Sequence, residues 1–166
     1  MSKSTKILVR AGLISALYVV LSLITFPIAS GAIQFRISEA LTILPLFFIE
    51  AVPALFVGCL LSNFITGCMV FDVLFGSLIT LVASVLTYLT GRIIKNTKLS
   101  LVIGGIFPVI LNALFLPLIW LLAGVMEYAY WVQVGFLLIS QALSVYLLGI
   151  PLGIATLRKE KKSKQN

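Results

Sequence analysis

The chain has 166 residues, is 61% hydrophobic and only 10% charged, and has a mean hydropathy of +1.19. That excludes a soluble globular domain, because one core of this size cannot hide so much apolar surface, whereas a bilayer accepts it if backbone polar groups bond within helices. The net charge of +7 therefore reads as membrane topology and anionic-lipid contact, not as nucleic-acid binding.

Taken in chain order, the first apolar run covers about residues 7–26 and follows Lys3, Lys6 and Arg10. It supplies the roughly 20 residues needed to cross hydrocarbon, which is too long for the apolar part of a signal peptide, so it is read as a retained first helix. Gly12 and Ala16, with Ala11 and Ser15 beside them, make a small-residue stripe on that helix, suited to close approach by another helix of this chain or of a partner. A Pro/Ser/Gly loop over about 27–34 leads to a second segment at about 38–50 and a third at about 53–66. Both are short for a span and are expected to be tilted or broken, with Pro45 and Pro53 as kink points. The fourth segment runs over about 71–91, the fifth over about 99–123 and the sixth over about 130–157, with a basic loop at 92–98 and a lysine-rich tail at about 158–166. Gly149 and Gly153 form a G-x-x-x-G in the sixth. The predicted architecture is an all-α integral membrane protein with six transmembrane helices and one transmembrane domain over 1–166. No internal repeat is evident.

Six spans put both termini on one side. That side collects Lys3, Lys6, Arg10, Arg92, Lys95, Lys98 and the basic residues from Arg158 to Lys164, so the positive-inside rule makes it the cytoplasm of a multi-pass cell-membrane protein. Arg36 alone among the basic residues stands on the outer side, three positions before Glu39. Ser38 is the expected N-cap of the second helix, which puts Glu39 in its first turn, where a carboxylate favours the helix dipole. The two charges can pair with each other, or they can face a polar ligand entering from outside, offering a fork donor and an acceptor.

The other outward acids follow the same pattern. Asp72 opens the fourth helix and Glu127 precedes the sixth, while Glu50 lies at an inner turn and Glu160 in the tail. Carboxylates cost about 2.5–3.5 kcal/mol each at the bilayer centre, so they should face a cavity or water. Tyr128, Tyr130, Trp131 and Gln133 cluster after Glu127, either as an interfacial aromatic belt or as ring faces and edge groups for a flat heterocycle. Asn112 and Gln141, deeper in the fifth and sixth helices, either join helices or floor a pocket, and Asn63 near the end of the third could belong to either group.

The chain has no histidine, and Cys59 and Cys68 would be roughly 13 Å apart along a helix at about 1.5 Å per residue, too far for a disulfide. No metal site and no cofactor are expected. Without a G-x-x-x-x-G-K-[ST], a G-x-S-x-G or an H-E-x-x-H, the chain shows no means of hydrolysing ATP and no catalytic centre, and it reads as a capture subunit that needs partners.

Gly31-Ala-Ile-Gln-Phe-Arg-Ile-Ser-Glu-Ala-Leu-Thr-Ile-Leu-Pro45 closely resembles the signature of the QueT family, substrate-binding S components of energy-coupling factor (ECF) transporters. Glu50-Ala-Val-Pro53, Phe71-Asp-Val-Leu-Phe-Gly76, Asn112-Ala113 and Leu148-Gly-Ile-Pro-Leu152 extend the resemblance over nearly the whole chain, and Gln141 stands where the family pattern carries Gln or Glu. The resemblance implies an S-component bundle of six helices with cytoplasmic termini and a ligand of the queuosine-precursor type, a 7-deazaguanine carrying a cyano or aminomethyl group. It implies a ligand site under the loop after the first helix and against helices four to six. Gln34, Arg36, Glu39, Asn63, Asp72, Asn112, Glu127, Tyr130, Trp131, Gln133 and Gln141 are the substrate-binding candidates. It further implies that Ala11, Gly12, Ser15 and Ala16 dock on a transmembrane coupling subunit (EcfT), driven by two cytoplasmic ATPases (EcfA type). The readings kept beside this one are an S component for another flat vitamin-like ligand and an autonomous proton-coupled transporter using Asp72 or Glu127.

Overall fold

In the computed structural model, which describes residues 2–29 and 34–163, every regular element is helical. Residues 30–33 of the first loop, with the start of the signature, and Lys164 lie outside the described residues. The elements are α1 (Lys3–Ala29), a 3-10 helix (Ile37–Leu46), α2 (Ala51–Ile65), α3 (Ser77–Ile93), α4 (Thr97–Leu122), α5 (Tyr130–Ala142) and α6 (Ile150–Ser163). A π-helical turn, Asp72–Gly76, leads into α3, and another, Leu143–Gly149, joins α5 to α6 into one long rod.

On α1 and α3 the burial pattern departs from that of a soluble bundle. On α1 the inward residues Ile14, Tyr18, Ser22 and Thr25 recur at helical spacing and three of them carry hydroxyls, while Leu13, Leu17, Val20 and Ile24 face outward. On α3 the inward row is Ser77, Thr80, Ala83, Ser84, Thr87 and Thr90, and the outward row Leu78, Val82, Val85, Leu89 and Ile93. Water would reward neither arrangement, but hydrocarbon does: apolar side chains dissolve in it, and small hydroxyl residues pack closely and bond to backbone carbonyls, as Thr87 Oγ1 does to the carbonyl of Gly104 on α4 at 2.9 Å. Among the described residues four stretches are long and apolar enough to cross a membrane: Lys3–Ile28, Asp72–Ile93, Thr97–Leu122 and Tyr130–Lys159. Ile37–Leu46 and Ala51–Ile65 are shorter apolar helices.

The 3-10 helix forms the centre of the bundle, with Ser38 through Pro45 all buried. Its narrower coil leaves less width for neighbours to fill, and those neighbours meet it with glycine. A Cβ built on Gly91 would lie 2.5 Å from the Leu46 carbonyl oxygen, and one on Gly149 would lie 2.9 Å from the Ala40 carbonyl oxygen. Gly153, the second glycine of the G-x-x-x-G, faces Leu101 and Phe47, so this motif packs within the chain. Gly12 has open space where a Cβ would go, and Gly12 and Ala16 are exposed on the outer face of α1, whereas Ala11 packs against the core cluster around Tyr18 and Leu55.

Three local expectations are corrected. The second segment is a 3-10 rather than an α-helix, and the position preceding its first residue is Arg36, with no side-chain cap. Ser38 instead lies inside it and accepts from Ser22 Oγ of α1 at 2.8 Å, a bond between elements that outcompetes local capping. Pro53 does not kink a helix, because it falls in the first turn of α2, where its missing N–H would have had no intrahelical partner.

Candidate ligand-binding site

α1, α2 and α4 finish at one end of the bundle, where the 3-10 helix and the turn into α3 begin, and this antiparallel arrangement gathers the polar side chains that were scattered in sequence. Glu39, in the first turn of the 3-10 helix, is only 3% exposed. Tyr18 Oη donates to its Oε1 at 2.6 Å and Asn112 Nδ2 to its Oε2 at 3.3 Å. Asn112 Nδ2 also reaches Gln141 Oε1 at 3.4 Å, so α1, the 3-10 helix, α4 and α5 share one buried polar network.

A second group lies nearer the end of the bundle. Arg36 Nη1 donates to Asn63 Oδ1 at 3.2 Å, and Asn63 Nδ2 donates to the backbone carbonyl of Asp72 at 3.2 Å. Trp120 Nε1 donates to Asp72 Oδ1 at 2.8 Å, and the Cys59 thiol accepts weakly from Asn63 and Thr80. The π-helical turn begins at Asp72 and places its carboxylate toward α4, consistent with the tendency of such turns to occur at working sites.

The two groups wall two adjoining cavities. An outer one of about 180 Å³ is lined by residues including Gln34, Arg36, Asn63, Cys68 and Asp72. An inner one of about 10 Å³ is lined by Arg36, Glu39, Cys59, Asn63, Asp72, Gly76, Thr80, Asn112, Leu116, Trp120 and Gln141. Arg36, Asn63 and Asp72 belong to both and form the partition. The inner space is no larger than one water needs, so its polar groups have closed on one another, and any ligand entering it would have to part them. Gln34 holds a left-handed backbone at φ 44°, the sort of local strain that collects at binding loops.

Seven sequence-selected candidates thus meet here: Gln34, Arg36, Glu39, Asn63, Asp72, Asn112 and Gln141. Glu127, Tyr130, Trp131 and Gln133 line neither of these two cavities. Glu127 is exposed and Trp131 is 74% exposed, Tyr130 Oη donates to the Leu114 carbonyl at 3.0 Å with its ring edge-on to Trp131, and Gln133 is buried. Arg36 and Glu39 do not form the ion pair that their spacing allowed. Among the described residues the pair within reach is Arg10 Nη1 to Glu50 Oε1 at 2.6 Å, at the opposite end, where the guanidinium also covers the Phe48 ring. Tyr18 and Trp120 join the site without standing among the sequence-based candidates. A lone tyrosine in the middle of an apolar helix is itself a signal, since a buried phenol needs an acceptor.

The family model described as the QueT transporter matches residues 8–159. The chain belongs to the QueT transporter family. A stretch of 77 residues is 40% identical to the queuosine precursor transporter QueT of Lactococcus lactis subsp. cremoris (strain MG1363), covering 45% of this chain and 45% of that relative. The aligned part is thus under half the length of that family relative. No solved structure matches the chain.

Proposed function

We propose that this QueT family member is the substrate-capture subunit, or S component, of an ECF-type importer for a queuosine precursor. The observation that carries the reading is the convergence of Arg36, Glu39, Asn63, Asp72, Asn112, Trp120 and Gln141 on one buried cavity. A 7-deazaguanine offers adjacent N–H donors on one edge, suited to the Glu39 carboxylate. It also offers a carbonyl oxygen suited to Arg36 or an amide, and a flat face suited to Trp120. The precursor class rests on the name of the lactococcal relative and on the signature around Arg36 and Glu39.

The same reading makes the chain a single domain with six membrane-crossing segments, the two shorter ones included, and with both termini cytoplasmic. The basic residues support that orientation, for Lys3, Lys6, Arg10, Arg92, Lys95, Lys98 and Arg158 all fall at the end of the bundle away from the cavities. Energy would come from two partner ATPases through a transmembrane coupling subunit. Gly12 and Ala16, exposed on α1, form the proposed docking face.

The two tryptophans of the chain provide the test. Titrating the purified protein with a deazaguanine precursor should change tryptophan emission saturably; Trp120→Phe should abolish the change and Trp131→Phe should preserve it. A signal that follows Trp131 instead would move the site to the aromatic segment at the start of α5. Calorimetric titration of Arg36→Ala should show affinity falling about tenfold or more, the loss of a charge-assisted hydrogen bond, while Glu127→Ala stays within about twofold of the parent. Substrate accumulation by this chain alone in proteoliposomes without ATP would overturn the capture-subunit reading.

The docking face has its own expected result. Gly12→Leu combined with Ala16→Leu should leave thermal stability and ligand affinity unchanged, since both are exposed and no described residue outside the local helix lies within 4 Å of where a Gly12 Cβ would stand, yet co-purification with the coupling subunit should fail. Intact assembly in that variant would remove α1 from the interface.

A further inference from the structure

The site's charge inventory does not balance. Glu39 and Asp72 contribute two carboxylates and Arg36 one guanidinium, and neither acid lies in an ion pair among the described residues. Arg36 donates to the Asn63 amide instead. Glu39 is held by a phenol and an amide, and Asp72 by the Trp120 indole, all neutral donors. Trp120 takes only Oδ1 of Asp72, and Asp72 Oδ2 has no hydrogen-bond partner among the described residues. Glu39 is buried and Asp72 is half-buried between the two cavities; carboxylates at such depth are costly without a cation, so a surplus of one negative charge suits the site to one positive charge from elsewhere.

The two acids also sit at different depths. Glu39 is confined to the inner cavity, whereas Asp72 lines both, at the partition and beside the indole. A flat ligand lodged between them would present its paired ring donors to Glu39 and a substituent to Asp72.

We propose that the site is charge-matched to a flat heterocycle bearing one protonated amine, with Asp72 holding the amine and Glu39 the donor edge of the ring. This rests on the capture reading above and makes it specific. Of the two queuosine precursors, the aminomethyl form carries an ordinary primary amine, protonated at neutral pH, and the cyano form carries none. The aminomethyl precursor is therefore the preferred cargo, and Asp72 is the residue that discriminates.

Isothermal titration calorimetry of the full chain in lipid nanodiscs tests this, using 7-aminomethyl- and 7-cyano-7-deazaguanine as the two probes. The parent protein should bind the amine at least about tenfold tighter than the nitrile. Asp72→Asn should lower amine affinity by about that factor more than it lowers nitrile affinity, so that the two converge, whereas Asp72→Glu should keep the preference. Equal affinities in the parent, or an Asp72→Asn variant that weakens both probes alike, would overturn the charge match while leaving precursor capture intact. Should Asp72→Asn fail to fold, the parent's ratio and the Asp72→Glu variant still decide. Binding of neither probe would overturn the capture reading, and this inference with it.

Discussion

Glu39→Gln should lower precursor affinity by roughly 10- to 100-fold while leaving the ligand-free protein as stable as the parent or slightly more so. The two halves of that expectation have separate causes. Glutamine keeps the shape of the side chain and can still accept through one oxygen, and the Tyr18 hydroxyl can turn to accept from the new amide, so the network of Tyr18, residue 39 and Asn112 survives. Removing a buried charge that makes no direct ion pair removes its desolvation penalty, which offsets what the carboxylate contributes to the ligand-free network. Binding suffers because ligand donors lose a carboxylate. Hydrogen bonds to a charged group contribute about 1.5–3 kcal/mol, and each 1.4 kcal/mol is about tenfold. Calorimetry with the aminomethyl precursor, paired with a thermal scan of the ligand-free protein, reads both halves. Unchanged affinity would remove Glu39 from the site, and a large loss of stability would make it a structural residue.

Gly91→Ala should destabilise the bundle by about 1–3 kcal/mol, the usual scale for overpacking, and lower the midpoint of thermal unfolding by several degrees. Alanine would normally help here, since glycine inside a helix is worse by up to about 1 kcal/mol. Geometry reverses the sign. The added methyl would stand 2.5 Å from the Leu46 carbonyl oxygen and 3.0 Å from the Leu46 Cα, both backbone atoms that no rotamer change can clear. Gly104→Ala makes a useful comparison, because its methyl would meet only the Leu46 side-chain tip at 2.8 Å, which can swing aside at smaller cost. Equal melting of Gly91→Ala and the parent would mean that the 3-10 helix is free to shift. That freedom would also bear on how the cavity opens, since Glu39 rides on the same element.

How much of the site was legible beforehand depended on the kind of residue. Arg36, Glu39 and Asp72 stand out in an apolar chain because charge at membrane depth is costly and needs a reason. Asn63, Asn112 and Gln141 stand out for the same reason at smaller scale. Trp131 and Tyr130 drew notice equally, yet Trp131 points away from the bundle, for an aromatic residue at a helix start has two good environments and sequence does not separate them. Tyr18 was hidden among apolar neighbours, and Trp120 sat at the end of an apolar helix. What identifies them is the acceptor each one meets, Glu39 and Asp72, on elements 21 and 48 residues away.

By itself the sequence determined the class, the helical segments to within a few residues and the family. Hydropathy, length and charge act locally, and a membrane leaves the backbone little choice but helix. The tertiary structure alone decided that the shortest segment is a buried 3-10 helix, that α1 and α3 turn their hydroxyls inward, and that Glu39 bonds to Tyr18 and Asn112 rather than Arg36. Those outcomes depend on which helices pack side by side and how closely glycines let them approach. That is a property of contacts between distant residues, and no local pattern encodes it.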